Sequence, residues 1–198
     1  MRRKTFDALA TIAGLVLAMV LVFAGGLLLW GHNFVTNQVH TQLAAQKIYF
    51  PPAGSPAIKA LPATDAKAMT QYAGQQLVTG PQARVWADNF IAVHLGEIGA
   101  GKTYSQLATQ SMANPKNTVL ANQVLVVFRG ETLRGLLLNA YAFWTMAQIM
   151  LIGAIVAFAG AGLLLILAAF GVAHRRWVSA EAELFTRHPA AARVAVSH

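Results

Sequence analysis

Residues 136–173 decide the fold, and they read LLLNAYAFWTMAQIMLIGAIVAFAGAGLLLILAAFGVA. The run contains no Asp, Glu, Lys or Arg, and it is closed by His174, Arg175 and Arg176. A helix rises about 1.5 Å per residue, so about 20 apolar residues cross the hydrocarbon core of a bilayer. We therefore predict a spanning helix over residues 139–173, in which an outer interfacial turn precedes a crossing near residues 147–171.

A second apolar run lies near the N-terminus. Arg2, Arg3 and Lys4 precede residues 8–30, which carry no charged side chain and end in Trp30. A cleaved signal peptide is the alternative, but its apolar segment is usually about 7–15 residues long, and no convincing small-x-small cleavage site follows here. We predict that residues 8–30 form the first spanning helix.

The basic residues beside the two runs predict the topology. Lys and Arg close to a membrane favour the cytoplasmic side, so residues 1–7 and the tail, residues 174–198, are predicted to be cytoplasmic, the tail being disordered. Residues 31–138 are then extracytoplasmic, and the protein lies in the inner (plasma) membrane. The predicted interfacial anchors are Trp30, Trp144, Trp177, Arg175 and Arg176.

Composition limits the classes of function. The chain is 56% hydrophobic and 11% charged, with a net charge of +8 and no cysteine. Without cysteine there is no disulfide, thiolate metal site or cysteine nucleophile. The basic residues are divided between the membrane flanks and a sparse scatter, so the bilayer, and not nucleic acid, is the predicted partner.

Residues 31–138 are predicted to form a small helical domain on a helical stalk. The stalk continues the first spanning helix through Val35, Val39 and Leu43, up to a Pro-rich connector over residues 49–62. A helix capped by Thr64 or Asp65 follows and reaches Gly80. Its apolar positions are Met69, Tyr72, Ala73 and Leu77.

Three further helices are predicted before the membrane is re-entered. Pro81 starts the first, whose buried stripe is Ala83, Trp86, Phe90 and Val93. Thr103 and Gln106 fit a capping box for a short helix to Met112. Residues 119–128 are rich in β-branched side chains and suit a strand, but no breaker separates them from the apolar run. We therefore favour a helix that continues into the bilayer.

The sharpest motif match is a phosphate-binding pattern, GxxxxGK[ST], at Gly96, Gly101, Lys102 and Thr103. Such a loop leaves a buried strand and enters a helix, whereas residues 84–95 have a helical period. We interpret the match as a decoy, a glycine-rich turn followed by a threonine cap. Nucleotide binding remains a minor alternative.

Candidate catalytic and metal-binding residues are sparse. His94 and Glu97 have the spacing of ligands on di-metal helices, but such sites need several carboxylates and a second histidine-bearing helix. His32 and His40 suit a solvated helix face near a membrane better than a metal site. We predict no enzyme activity, no metal and no cofactor.

Small residues recur every four positions on the second spanning helix, at Gly153, Ala157 and Ala161. This pattern lets another helix approach closely. The partner is either the first spanning helix of the same chain, which we favour, or another copy, and the second reading supports an oligomeric transport or channel-associated subunit.

Four segments resemble a group of uncharacterised actinobacterial membrane proteins: QKIYFPP from Gln46, QYAGQQL from Gln71, FIAVHL from Phe90 and FRGETLRGLLLNAY from Phe128. The resemblance implies two spanning helices around an exported segment. It implies no activity, because no function is established for that group.

These observations together predict an all-α membrane protein, with two transmembrane helices flanking a small extracytoplasmic helical domain. The expected function is a non-enzymatic accessory or scaffold role in the cell envelope. Its partner would be another membrane or envelope protein, contacted through the helical domain. The aromatic and apolar residues available for that contact, or for the core, are Met69, Tyr72, Trp86 and Phe90.

Overall fold

The structure, a computed structural model, describes residues 3–177, and the side chains of residues 3, 4 and 175 lie outside that description. Its elements are α1 (Arg3–Ala45), α2 (Pro56–Lys59), α3 (Ala63–Thr70), α4 (Gly80–Trp86), a π-helical turn (Ala87–Ile91), α5 (Ala92–Ile98), α6 (Tyr104–Ala113) and α7 (Thr118–Trp177). The predicted tail, residues 174–198, therefore falls largely outside the described residues. Within them the prediction of an all-helical chain is confirmed.

The two long helices α1 and α7 contain the apolar runs. Each is long and apolar enough to cross a membrane, and only 11% and 17% of their most apolar windows are buried. A core helix of a soluble protein would instead be mostly covered by its neighbours. Residues 119–128 belong to α7, so the helical alternative for this segment is confirmed and the strand alternative is wrong.

The described chain divides into two compact units. The first unit combines the residues up to Leu28 with those from Gly153 onward, and the second is Leu29–Ile152. The described chain therefore contains a pair of apolar helical segments and, separately, a unit that includes the six short helical elements.

The first unit is an antiparallel helix pair. Three close approaches at glycines of α7 show the antiparallel direction, because the partner residues on α1 run in the opposite order: Gly153 to Leu28, Gly160 to Leu21 and Gly171 to Thr11. The buried side chains that α7 contributes to this unit are small: Ala154, Ala157, Ala161 and Ala168. Small residues allow two helices in a membrane to gain van der Waals contact where the hydrophobic drive between them is weak.

The second unit has an apolar core built from both long helices and the short ones. Val39 and Leu43 face this core from α1, as the predicted stripe requires, and Leu137 faces it from α7. The other buried members are Phe50, Ile58, Leu61, Met69, Leu77, Ala83, Ala87, Ile91 and Leu95. Ring–ring contacts run through it from Tyr72 to Phe50, Trp86, Phe90 and His94, with centroids 4.4–5.3 Å apart.

The predicted helix from Thr64 or Asp65 to Gly80 is wrong in its cap and its end. Pro62 precedes the first turn, with no side-chain cap, and α3 already ends at Thr70. Gly74 has a φ of 72°, and an antiparallel bridge pairs Tyr49 with Gln76. The backbone donors of residues 74–77 are thus satisfied partly by the segment that precedes α2, which replaces the hydrogen bonds of a continued helix.

The helical segment after Pro81 differs from its predicted stripe because of the π-helical turn. Ala83 is fully buried as expected, but the buried positions that follow are Ala87, Ile91 and Leu95. A π turn has i→i+5 hydrogen bonds and more residues per turn than an α-helix, which keeps residues four apart on one side. Trp86, Phe90 and Val93 consequently pack at the margin of the core.

Two of the short helices, α4 and α6, begin with a capping box. Thr103 and Gln106 cap α6 in both directions, which confirms the prediction. Thr79 and Gln82 do the same for α4, and this cap was missed although the spacing of threonine and glutamine is identical. The Gln82 side chain is buried and also donates to Gln75 Oε1 at 3.1 Å, which ties α4 to the preceding loop.

Candidate functional site

The segment that matches the phosphate-binding pattern is a turn between two helices. Gly96 lies inside α5, Gly99 ends that helix, and Gly101 has a φ of 74°. Thr103 caps α6, while Lys102 Nζ donates to Gln110 Oε1 at 3.0 Å. A helix precedes this turn where a phosphate-binding loop requires a strand, so the predicted turn and cap account for the residues.

His94 and His32 each make a hydrogen bond to a backbone carbonyl. His94 Nδ1 donates to the Phe90 carbonyl at 2.7 Å, and its ring packs on that phenylalanine. His32 Nδ1 donates to the Ala147 carbonyl at 2.8 Å, linking α1 to α7. Among the described residues no group of three or more His, Asp or Glu side chains is placed to hold a metal ion.

A charged network joins the π-helical turn to α7. Arg134 Nη2 lies 3.0 Å from Asp88 Oδ1, Arg134 Nη1 lies 3.5 Å from Glu131 Oε2, and Arg84 Nε lies 3.8 Å from Asp88 Oδ2. Arg84 also donates to the Tyr141 hydroxyl at 3.0 Å. Partly exposed pairs of this kind contribute about 0–1 kcal/mol each.

A neighbouring polar contact links the same turn to α3, since Asn89 Nδ2 donates to Asp65 Oδ1 at 2.7 Å. Asp65 was predicted as a cap, but its carboxylate serves this longer-range contact. Together with the network around Asp88, it fixes the orientation of the turn between α3 and α7. These acids are therefore engaged in structural contacts.

The predicted interfacial anchors have different surroundings. Trp30 is exposed and stacks on Phe34, with ring centroids 5.6 Å apart. Trp144 packs against Gly80 at the margin of the core of the second unit. Trp177 and Arg176 are exposed, and the Arg175 side chain lies outside the description. Trp144 is thus a packing residue of the helical unit.

The predicted helix-packing face lies against α1 of the same chain. A Cβ added at Gly153 would lie 3.2 Å from Leu28 Cδ1, and Ala157 and Ala161 are buried. The buried stripe also includes Ala154 and Ala168, which the four-residue pattern did not include. The contact made by this face is therefore intramolecular in the described structure.

A groove lies between α1 and α7 within the second unit. Its cavity is about 570 Å³, which is in the range of small-ligand pockets. Val35, Val39 and Leu43 line it from α1, and Leu136 and Leu137 line it from α7. All of its lining residues are uncharged.

A second, shallower depression lies between α6 and the first turns of α7. Tyr104, Leu125 and Phe128 line it, and they are 41%, 44% and 50% exposed. The rings of Tyr104 and Phe128 pack with centroids 5.5 Å apart. We call Tyr104, Ala121, Val124, Leu125 and Phe128 the α6/α7 patch. The sequence alone does not distinguish these residues, because nothing in their spacing shows which apolar positions remain uncovered.

Most of the residues that line the groove and the patch are apolar. No family model matches the chain, and no curated protein or solved structure matches it significantly. The resemblance to actinobacterial two-pass proteins therefore stays a prediction. The function must be inferred from the surfaces themselves.

Proposed function

We propose that the chain is a non-enzymatic two-pass protein of the plasma membrane with an accessory or scaffold role. Both termini lie in the cytoplasm, and residues 31–138 lie outside it. The length and exposure of α1 and α7 support insertion, and the basic residues at both ends of the chain support the orientation. The scaffold role belongs to the outer helical unit.

The α6/α7 patch is the observation that carries this proposal. Met69, Tyr72, Trp86 and Phe90, which the sequence offered as contact residues, pack in or against the core of the unit. Apolar side chains left exposed nearby include Tyr104, Leu125 and Phe128 of the patch, and Met112 and Val119, which are 74% and 78% exposed. Contiguous exposed apolar surface is typical of sites where another protein docks.

The partner proposed for the patch is a helix of another envelope protein. Helix docking uses apolar anchors spaced along one face of a helix, inserted into a shallow groove between two others. The depression between α6 and α7 has this form, with aromatic side chains at Tyr104 and Phe128. Tyrosine and phenylalanine are enriched in such interfaces.

Site-specific photocrosslinking in living cells tests the proposal. A photoreactive amino acid at position 121, inside the patch, should yield one discrete crosslinked protein, whereas the same probe at exposed position 60 should not. Leu125→Gln should reduce that adduct severalfold. Leu136→Gln, at an exposed leucine away from the patch, should leave it unchanged.

Equal, diffuse crosslinking from positions 121 and 60 would contradict the scaffold role. An adduct that survives Leu125→Gln would show that the patch does not supply the contact. Neither result bears on the membrane topology, which cysteine accessibility in intact cells tests independently.

A further inference from the structure

The uncharged runs of both long helices continue beyond a membrane crossing. Residues 8–46 contain no Asp, Glu, Lys or Arg, which is about twice the length that a crossing needs. On α7 the uncharged run begins at residue 136, well before the predicted crossing near residue 147. Solvent-exposed helices usually carry charge on their outer face. These extensions do not, and they form the walls of the groove.

The position of the groove follows from contacts between the helices. His32 is hydrogen-bonded to Ala147, and a Cβ at Gly31 would lie 3.1 Å from Met150 Sδ. These contacts align the predicted outer ends of the two crossings. Phe34 and Phe143 line the groove about one turn further along each helix, so the groove begins close to the predicted membrane surface. From residue 34 to residue 45, α1 covers about 16 Å.

The lining combines an apolar stripe with an amide stripe. Val35, Val39 and Leu43 repeat every four residues on α1 and give an apolar floor. Gln38, Gln42 and Gln46 repeat with the same spacing beside them. Residues four apart lie on one helix face, so the amides of Gln38 and Gln42 form a neutral hydrogen-bonding edge along the apolar floor. Gln46 adds a third amide to the lining just beyond the end of α1 at Ala45.

The exposed apolar residues at this groove are large. Phe34, Leu136 and Phe143 are 52%, 62% and 55% exposed. Burying apolar surface is favourable by about 25 cal/mol per Å², so covering these side chains would be stabilising. No charged side chain separates them along α1 or α7 from the surface that the spanning segments offer to lipid. An apolar chain from the bilayer can therefore extend along this surface without crossing a charged residue.

We propose that the groove binds one acyl chain of a membrane phospholipid. The apolar stripe contacts the chain, and the amides of Gln38, Gln42 and Gln46 offer neutral donors and acceptors to ester groups. Because the lining is uncharged, the groove recognises the acyl chain of the lipid and not its phosphate group. This inference rests on the membrane insertion proposed above, but not on the partner of the α6/α7 patch.

Photolabelling in phosphatidylcholine vesicles tests the inference. The full chain is reconstituted with a trace of phosphatidylcholine that carries a diazirine in the middle of one acyl chain, and the labelled peptides are mapped by mass spectrometry. Labels are expected in residues 34–46 and 133–143, in addition to those in the two spanning segments. Leu136→Gln should lower the groove labels about tenfold, which corresponds to about 1.4 kcal/mol, and leave the spanning labels unchanged.

Control variants show whether a loss of label is specific to the groove. Val126→Gln changes an exposed apolar residue that lines neither the groove nor the patch, and it should not alter the groove labels. Ala140→Trp fills the groove and should abolish them, whereas Ala142→Trp, at an exposed α7 position that does not line the groove, should not. The thermal midpoint of each variant shows whether it remains folded.

Labels confined to the spanning segments, or groove labels that resist Leu136→Gln, would overturn the inference. Absence of labels in the spanning segments as well would instead contradict the proposed membrane insertion, so the two failures are distinguishable.

Discussion

Gly80 and Gly130 let the short helices approach α7 closely. A Cβ added to Gly80 would overlap the Cβ and Cγ atoms of Trp144, and one added to Gly130 would overlap the Leu95 side chain. Gly96, in contrast, has no atom within 4 Å of such a Cβ. An added methyl group is therefore expected to destabilise the protein at Gly80 and at Gly130, but not at Gly96.

Gly80→Ala should destabilise the protein by about 1–3 kcal/mol, the usual cost of forcing extra volume into a packed site. The obstacle is the root of the Trp144 side chain, which cannot rotate away without moving α7. Gly96→Ala is the control, and it should raise stability by up to about 1 kcal/mol because alanine suits a helix better. Thermal unfolding of the purified full chain in one detergent compares the two. Equal midpoints would show that the packing of Gly80 on Trp144 is wrong.

At the scale of elements, the sequence could predict what depends on local pattern. The length of the uncharged runs predicts α1 and α7, and the spacing of Thr103 and Gln106 predicts the start of α6. The end of α3 could not be predicted, because it depends on pairing between Tyr49 and Gln76, which are far apart along the chain. The π-helical turn likewise has no pattern of its own in residues 87–91.

The binding surfaces were harder to predict than the elements. Apolar spacing identified Trp86 and Phe90 but could not show that they pack against the core of the second unit. The groove required knowledge that the outer part of α1 lies beside residues 133–143 of α7. The position of the small-residue face was predictable, because close helix packing needs small side chains. Its partner was not, because the pattern suits both the first spanning helix of the same chain and another copy.

Ala157→Leu tests the intramolecular use of that face. Ala157 is buried, so the added volume should push α1 away and cost about 1–3 kcal/mol, while the segment stays apolar and still inserts. Ala159→Leu, at an exposed position on the same helix, should have little effect. The measurements are the thermal midpoint of the solubilised monomer and the yield of crosslinked oligomer.

Loss of oligomer with an unchanged monomer midpoint in Ala157→Leu would contradict the intramolecular assignment. It would favour the transport or assembly hypothesis, in which several copies meet through Gly153, Ala157 and Ala161.

At the scale of the whole molecule, the central claim is that two crossings hold one helical unit outside the cytoplasm. The absence of charge from residues 8–30 and 136–173 favours insertion. The proposed orientation rests on the basic residues near both ends of the chain, because a long outer segment can be translocated despite its own charges. The patch and the groove acquire their proposed partners only in this arrangement.

Cysteine accessibility in intact cells tests this claim most directly, because the native chain contains no cysteine. Single variants Thr5→Cys, Ala53→Cys and Ser197→Cys are treated with a membrane-impermeant maleimide before and after permeabilisation. We predict that Ala53→Cys is labelled in intact cells, and that Thr5→Cys and Ser197→Cys are labelled only after permeabilisation. Labelling of either terminal variant in intact cells, or protection of Ala53→Cys, would contradict the proposed topology.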